Sequence, residues 1–273
     1  MTAIGLLLAV LLGTLLSAPV PDGAAIKQRM LASWRNSEAA LENYSCIVHE
    51  QGDELNSDGS LKKRRSSVTE QFFVNGIEIE HTLERDGKPL SSSDAKKEQE
   101  RVDKKVKKFS DKEAAEKAQK HDEKQADMFL RALRLTNGRR EQREGRPTLR
   151  YDLSGDPDFD PKNLQERFAK VLTGQIAIDE ESGTPVEVRF ETTHDIKIGA
   201  GLLANLHKGF WLHVVQQREP DGVWITKTVE GSGDARAALF MHARFRFRQQ
   251  LEKCHLFSVK TEQKIGNQPG PEN

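Results

Sequence analysis

Apolar and polar residues alternate with a period of two through the last third of the chain, and this pattern constrains the fold more than any other feature. The alternation is clearest in Pro185–Thr192 and in residues 209–217 and 237–251. It is typical of β-strands that turn one face to a core and the other to water. Glycine-containing turns such as residues 220–222 separate the strands, as hairpins require. Residues 174–259 therefore predict a continuous antiparallel sheet.

An earlier hairpin extends this sheet. Asn75-Gly76, a strong hairpin signal, separates strands expected at residues 68–74 and 77–83. We expect the apolar residues of this hairpin to share one concave face with those of the later strands. The residues expected on its outer side are Glu78, Glu80 and Glu84. The predicted ligand-binding residues of the concave face are Phe72, Val74, Ile77, Ile79, Leu83, Val188, Phe190, Phe210, Leu212, Val214, Phe245 and Phe247.

Few apolar helices are available to cover this face. Residues 24–41 have the pattern of an amphipathic helix, and residues 164–172 predict a short one. Burying each large apolar side chain is worth about 1.5–3 kcal/mol, which draws both helices onto the sheet. Two helices are nevertheless too small to cover so many strands. We therefore expect a partly filled interior that is open at a rim, and such interiors hold apolar ligands.

A charged insertion, residues 91–135, interrupts the strands. In residues 94–124, 20 of 31 residues are charged, and oppositely charged pairs at i,i+4 spacing predict a long solvated helix. Ser110-Asp111 is the expected point of a break. The helix could be a projecting arm, but a soluble insertion is the favoured interpretation. Apolar residues return in 128–135, so we expect the end of the insertion to dock on the sheet.

The first residues have the form of a secretory signal. Residues 4–16 are apolar or small, and Ser17-Ala18 follows as a small-residue site. Residues 1–23 are therefore predicted to be a signal peptide, cleaved between residues 18 and 25, which implies export to the periplasm. An uncleaved membrane anchor is the alternative. Residues 24–262 are expected to form a single domain, and residues 263–273 a disordered tail.

The chain has two cysteines, Cys46 and Cys254. In an exported protein an even pair indicates a disulfide. Cys46 lies in the first predicted strand and Cys254 near the end of the last, so a bridge would tie the two together. Two buried free thiols remain the alternative.

Charge and motif content exclude several functions. Lys plus Arg and Asp plus Glu are both 42, so the net charge is zero and the chain lacks the basic surface that nucleic acid binding needs. The chain has no hydrolase nucleophile motif, no P-loop and no dinucleotide fingerprint. Its eight histidines show no zinc-finger spacing. Residues 156–161 favour a proline-kinked loop over a calcium site. We therefore predict no catalytic residue, no metal ligand and no cofactor, and expect a protein that is not an enzyme.

The order of these elements resembles a known family. A signal peptide, an N-terminal helix and long hairpins precede the segments GQIAID at 174–179 and SGTPVEV at 182–188, and a DGVW turn follows at 221–224. This arrangement is similar to the periplasmic lipoprotein-localisation carriers, and most of all to the envelope-protein branch of their superfamily. The resemblance implies an α+β fold that is mainly antiparallel, a curved unclosed half-barrel with helices as a lid. The chain departs from the carriers in having the charged insertion and in having no arginine in residues 44–51.

Two functional hypotheses follow. The first is a non-enzymatic envelope protein that binds a lipid, or the acyl chains of a lipoprotein, in the half-barrel, as the resemblance to transport carriers implies. The second is an envelope sensor or interaction protein that uses the charged helix 94–124 to recruit a protein partner. A hydrolase would need a nucleophile that the sequence does not offer.

Overall fold

Four helices and thirteen strands make up most of the chain that the computed structural model describes, which is residues 19–198, 204–237 and 241–256. The helices are α1 (Gly23–Leu41), α2 (Ser92–Phe109), α3 (Lys112–Arg131) and α4 (Leu164–Lys170). The strands are β1 (Tyr44–Leu55), β2 (Leu61–Val74), β3 (Ile77–Arg85), β4 (Lys88–Pro89), β5 (Leu133–Arg143), β6 (Arg146–Gly155), β7 (Leu172–Asp179), β8 (Pro185–Thr192), β9 (Ile196–Ile198), β10 (Ala204–Leu206), β11 (Trp211–Arg218), β12 (Trp224–Ala237) and β13 (Met241–Leu256). The apolar run predicted as a signal and the predicted tail lie outside the described residues.

All these strands belong to one antiparallel sheet. Along its main path the order is β4-β3-β2-β1-β13-β12-β11-β8-β7-β6-β5, while β10 pairs with β12 and β9 with β10. The sheet is curved and does not close into a barrel, and the predicted α+β class is thereby confirmed. Within the described ranges, no helix combines the length and the apolar character needed to cross a membrane.

The first and last strands of the fold are neighbours in the middle of this sheet. β1 pairs with β13 from Tyr44, opposite Leu256, to Leu55, opposite Arg244. A disulfide joins Cys46 to Cys254 across this pair, over a sequence separation of 208 residues and a Cα–Cα distance of 4.0 Å. The pairing therefore joins strands β1–β4 to strands β5–β13.

The concave face carries the hydrophobic core. Ile176 of β7 stands opposite Tyr151 of β6 on one side and Val188 of β8 on the other, so their side chains share one face. The buried cluster built on this face, to which α1 and α4 contribute, comprises Ile26, Met30, Ala132, Leu133, Leu135, Leu149, Tyr151, Leu153, Ala169, Leu172, Ile176, Ile178 and Phe190. A second buried cluster lies at the β1–β13 pair and comprises Tyr44, Cys46, Val48, Ile225 and Leu251.

The packed chain begins before the predicted start of the domain at residue 24. Val20 packs against the larger core cluster, and the Tyr151 hydroxyl donates a hydrogen bond to the Pro21 carbonyl oxygen at 2.7 Å. The residues just ahead of α1 are therefore part of the fold.

The insertion folds into two helices that run from one edge of the sheet to the other. α2 ends at Phe109 and α3 begins at Lys112, so the break lies at the predicted point. α2 follows the edge strand β4 and packs beside β3, and α3 leads into β5 at the opposite edge. Buried Glu98 of α2 accepts the Thr82 N–H at 2.8 Å, and Arg101 donates to the Glu80 carbonyl oxygen. Hydrogen bonds from Arg101 and then from Thr82 lower the pKa of Glu98 to about 2.

A buried carboxylate holds together three strands on the convex face. Asp53 of β1 is 2% exposed and accepts hydrogen bonds from Arg64 Nε of β2 at 2.7 Å and from Arg246 Nη2 of β13 at 2.6 Å. These two hydrogen bonds, Arg64 first, lower the pKa of Asp53 to about 2. Buried charges are stable only when paired in this way.

Removing the disulfide should destabilise the sheet at its centre. A bridge over a loop this long restricts the unfolded chain, so Cys46→Ala with Cys254→Ala should cost about 2–5 kcal/mol. Urea unfolding of the double variant, compared with the oxidised protein, measures the loss. Dithiothreitol should destabilise the native protein in the same way and leave the double variant unchanged. Equal stability of the oxidised protein and the double variant would contradict this expectation.

Asp53→Asn should cost about 1–3 kcal/mol at neutral pH, because hydrogen bonds to charged groups contribute about that much. The pKa of Asp53 is lowered from 3.8 to about 2 by folding. Its stabilisation is therefore complete above the unfolded value and is lost as the pH falls through the folded one. The stability gap between the native protein and the variant should shrink from about pH 4 to about pH 2. Urea titrations across this range measure the gap.

The matched control is Glu54→Gln on the same strand. Glu54 pairs with Lys62 on the surface at 2.5 Å, and exposed pairs contribute little. A gap for Asp53→Asn that stays constant across the acidic range would show that the carboxylate charge is not what stabilises the sheet here.

Candidate functional site

A cavity of about 610 Å³ lies between the concave face and two helices, α1 and α3. Its helical wall is mainly apolar and consists of Met30, Leu31, Ser33, Trp34, Leu41, Ala126, Phe129 and Leu130. The apolar residues on the sheet side are Cys46, Phe73, Pro185, Trp224, Ile225, Val229 and Leu251. Most of the lining is thus hydrophobic, as in sites for small organic ligands.

Specific contacts fix α1 over the cavity. Ser33 of α1 hydrogen-bonds Thr184, oxygen to oxygen, at 2.6 Å in a buried position, and Arg29 donates to the Glu180 carbonyl oxygen. Gly183, in the same β7–β8 turn, has a φ of +76°, and a β-carbon there would lie 3.0 Å from the Arg29 carbonyl oxygen. Glycine therefore lets the turn approach the helix closely.

The second helix of the wall, α3, contacts the helices α1, α2 and α4 and the strands β3 and β5. Arg35 of α1 forms an ion pair with Glu123 of α3 on the surface. Exposed pairs of this kind contribute little stability. This ion pair therefore adds little to the packing that holds α3 in place.

One end of the cavity is lined with hydrogen-bond acceptors. Glu50 of β1 and Glu78 and Glu80 of β3 face the cavity, together with Gln71 of β2. Gln71 stands opposite Glu80, and Phe73 opposite Glu78, in the β2–β3 ladder. Burial, and then the charge of Glu80, raise the pKa of Glu78, while a hydrogen bond from Gln71 opposes the shift.

Two buried polar atoms on cavity-lining residues have no hydrogen-bond partner within the described part of the chain. They are Gln71 Oε1 and Trp224 Nε1. Nearly all buried polar groups in proteins are paired, so an unpaired one asks for an explanation. The acceptor end of this cavity therefore carries unmet hydrogen-bonding capacity as well as negative charge.

The predicted site residues of the later strands share the concave face but lie beyond the cavity. Val214 stands opposite Val229, which lines the cavity, and Phe247 lies two residues from cavity-lining Gln249 on β13. None of Val188, Phe190, Phe210, Leu212, Val214, Phe245 and Phe247 lines the cavity itself. Their assignment to a ligand site stays a prediction.

The four phenylalanines of this set and Phe168 of α4 form a continuous row of rings next to the cavity. The row runs Phe168–Phe190–Phe210–Phe245–Phe247, with centroids 6.0, 6.5, 6.2 and 6.4 Å apart. Gly231 and Gly233 of β12 make room for it, since a β-carbon at either position would lie 2.8 Å from a phenylalanine ring carbon. The rings thus fill much of the interior that the sequence predicted to be open.

In the early hairpin, the structure differs from the predicted face. Phe73, Glu78 and Glu80 line the cavity, which puts the alternate residues Phe72, Val74, Ile77 and Ile79 on the opposite side. Leu83 falls at a β-bulge between the pairs Thr69–Thr82 and Val68–Glu84.

The physical reason is that the buried side of the hairpin is the one away from the cavity, while Glu78 and Glu80 on the cavity side are exposed. Ile79, on the side away from the cavity, is 0% exposed, while the other side faces the cavity. Residue polarity therefore could not identify the concave side. The rule that apolar residues turn inward fails where a cavity is lined with carboxylates.

Sequence reasoning also missed the role of the charged insertion. It assigned the lid to α1 and α4, yet α3 supplies Ala126, Phe129 and Leu130 to the cavity wall. α4 instead packs Phe168 against the row of rings. The return of apolar residues at 128–135 was the available signal, and it predicted docking but not a cavity.

Comparisons with known proteins give weak likenesses. No protein family matches the chain, and no curated protein matches it significantly. One similar solved structure is described as an outer membrane lipoprotein-sorting protein domain from Vibrio parahaemolyticus, with 10% identity, 88% of this chain and 98% of that chain covered, and a TM-score of 0.34. A DUF1329 family protein from Desulfovibrio piger has 8% identity, covers 92% of this chain and 100% of its own, and has a TM-score of 0.33.

A third similar structure is MucB in complex with MucA(peri), with 10% identity, 84% of this chain and 100% of that chain covered, and a TM-score of 0.21. The first description coincides with the family that the sequence resembles. Overlaps this low carry no argument about function. The fold is therefore described from the strand order and pairing of this chain alone.

Proposed function

We propose that this protein binds a lipid or other amphiphile in the cavity, with its acyl chain against the α1–α3 wall and a cationic or hydrogen-bond-donating head group at the glutamate end. It acts in the bacterial envelope as a binding or carrier protein and not as an enzyme. The observation that carries the proposal is that one cavity combines an apolar wall with an acceptor-rich end.

The volume and the apolar lining of the cavity suit an acyl chain as ligand. About 610 Å³ lies within the range of roughly 300–1,000 Å³ that is usual for small-molecule sites. Each methylene transferred from water to such a wall contributes about 0.8 kcal/mol. The apolar residues of the lining come from two helices and five strands.

The glutamates at one end of the cavity favour a cationic or hydrogen-bond-donating head group. Glu78 has a raised pKa because burial and Glu80 disfavour its charge. A ligand ammonium group beside these carboxylates would favour the charged form and offset that cost. A ligand carboxylate or phosphate would add to the repulsion. An N–H donor would also satisfy Gln71 Oε1, which is buried without a partner.

The chemistry of the lining favours a binding role over acyl transfer. The lining, as the described residues define it, includes no histidine, and its cysteine, Cys46, is held in the disulfide. Acyl transfer needs an activated nucleophile with a base beside it. Periplasmic location follows from the predicted signal peptide and agrees with a disulfide-bonded fold.

The second hypothesis, a partner bound by the charged helices, is favoured by one observation. Lys117, Lys120 and Lys124 are exposed on α3. Deleting residues 94–124 would also remove the support of the cavity wall, so that deletion cannot separate the two roles. Reversing the charge of these three lysines keeps the wall intact. Loss of a co-purifying envelope protein with unchanged lipid binding would favour the second hypothesis.

Filling the cavity should weaken ligand binding. Ala126→Trp places a large side chain into the space at α3, so affinity for dodecylamine should fall about tenfold or more, which is about 1.4 kcal/mol. Native mass spectrometry of protein purified from the periplasm should show bound lipid in the native chain and less in the variant. Fluorescence of a hydrophobic naphthylamine probe gives a second reading.

The control is Ala32→Trp, at an exposed position of α1, which should bind as the native protein does. Thermal unfolding shows whether each variant is folded. If no lipid co-purifies with the native protein and no probe binds, the proposed function is wrong.

Head-group selectivity should follow the charge of the cavity. Dodecylamine should bind about tenfold more tightly than dodecanoate at neutral pH, and Glu78→Gln should reduce that preference. Because the pKa of Glu78 is raised above 4.5, amine affinity should decline as the pH falls toward and through that raised value, since protonation removes the attracting charge. Calorimetric titration over this pH range measures both effects.

Glu84→Gln on the same strand serves as the control, because Glu84 does not line the cavity. Equal affinities for the amine and the carboxylate would overturn the head-group assignment while leaving acyl-chain binding intact.

A further inference from the structure

Two histidines and an aspartate meet on the convex face, away from the cavity. His207, Asp234 and His242 each offer a ligand atom, and these atoms all lie within 4.8 Å of one another. His207 follows β10, Asp234 lies on β12 and His242 on β13. No short sequence spacing relates the three residues, so a search for metal-binding motifs could not find them.

The strand pairing brings these residues together. Leu206 stands opposite Ala235 in the β10–β12 ladder, and the His207 N–H donates to the Asp234 carbonyl oxygen at 2.9 Å. His242 stands opposite Arg236, two residues from Asp234 on the same face of β12. Three neighbouring segments of the sheet therefore hold the cluster, and it does not depend on one flexible loop.

His207 is oriented by a neighbouring carboxylate. Its Nδ1 lies 3.3 Å from Asp195 Oδ2. Asp195 is itself fixed by Asn205 Nδ2 at 3.0 Å and by the Lys208 N–H at 3.0 Å. This carboxylate is placed to accept a hydrogen bond from His207 Nδ1–H. Nε2 of His207 is then the free lone pair, the arrangement that commonly supports a metal-bound histidine.

The two carboxylate oxygens of Asp234 differ in their hydrogen bonding. Oδ2 accepts a hydrogen bond from Arg244 Nε at 3.0 Å. Oδ1 is buried and has no hydrogen-bond partner within the described part of the chain. A buried carboxylate oxygen without a donor is costly, and a metal ion would satisfy it.

The two imidazoles are placed to act together. Their ring centroids are 6.2 Å apart and their planes differ by 5°. His242 is exposed, so its side chain can rotate to shorten the distances within the cluster. Two imidazole nitrogens and one carboxylate oxygen are a usual set for zinc, with a fourth position open to water.

We propose that His207, Asp234 and His242 form a zinc-binding site, with Asp195 as the residue that orients His207. Zinc is favoured over magnesium or calcium because those ions need several oxygen ligands. Arg244 already neutralises part of the Asp234 charge, which further disfavours a hard cation. The site lies on the opposite face of the sheet from the cavity and does not depend on lipid binding.

Calorimetric titration of the tag-free, metal-free chain with zinc sulfate tests the site. One zinc per chain should bind, and His207→Ala, His242→Ala and Asp234→Asn should each weaken binding at least tenfold. Asp195→Asn should weaken it about 10–100-fold, the usual effect of losing a carboxylate that supports a ligand histidine. Magnesium should give no comparable binding.

His49→Ala is the matched control, because His49 is a partly exposed histidine on β1, outside the cluster. It should bind zinc as the native chain does. Circular dichroism of the metal-free variants shows whether each is folded. Equal zinc affinity of the native chain and a folded His207→Ala/His242→Ala double variant would overturn the proposal, as would an equal loss in His49→Ala.

Discussion

The pairing of β1 with β13 is the interaction on which the rest of the structure depends. It joins the N-terminal hairpins to the C-terminal strands, and the disulfide between Cys46 and Cys254 lies across it. Without it the glutamates of β3 and the apolar strands β12 and β13 would belong to separate sheets. Since the paired residues are about as far apart in sequence as the chain allows, this contact also carries a high loop-closure cost.

The cavity combines features that a packed core would avoid. Three carboxylates face the cavity, and burial raises the pKa of Glu78. Strained or poorly satisfied groups of this kind tend to persist where function needs them. The row of phenylalanines next to the cavity follows the usual packing rules. The two regions share one face of the sheet, yet only the first has the character of a binding site.

The sequence allowed much of the fold to be predicted. Alternation in β8, β11 and β13 identified the strands and their inner residues, because these strands have one face against a core and the other in water. Asn75-Gly76 located the early hairpin correctly, and Ser110-Asp111 the break between α2 and α3. These features depend on local chemistry, which a single sequence records.

The site was harder to predict, because it depends on contacts between distant segments. Glu78 and Glu80 have the pattern of surface residues and are indeed exposed, yet they line the same cavity as the apolar residues of α3. The apolar residues of α3 are few and follow a highly charged stretch, so their partner could not be inferred. Where an insertion crosses from one edge of a sheet to the other, local polarity does not reveal what it covers.

The contacts that α2 makes with β3 have a consequence for how these molecules behave in a crowded compartment. An open sheet exposes unpaired backbone groups along its edges, and such edges can recruit strands from other chains. Here the Glu98 carboxylate accepts a hydrogen bond from the Thr82 N–H, and Arg101 donates one to the Glu80 carbonyl oxygen. A foreign strand would have to displace both side chains before it could pair. The charged helix therefore protects one margin of the half-barrel against aggregation.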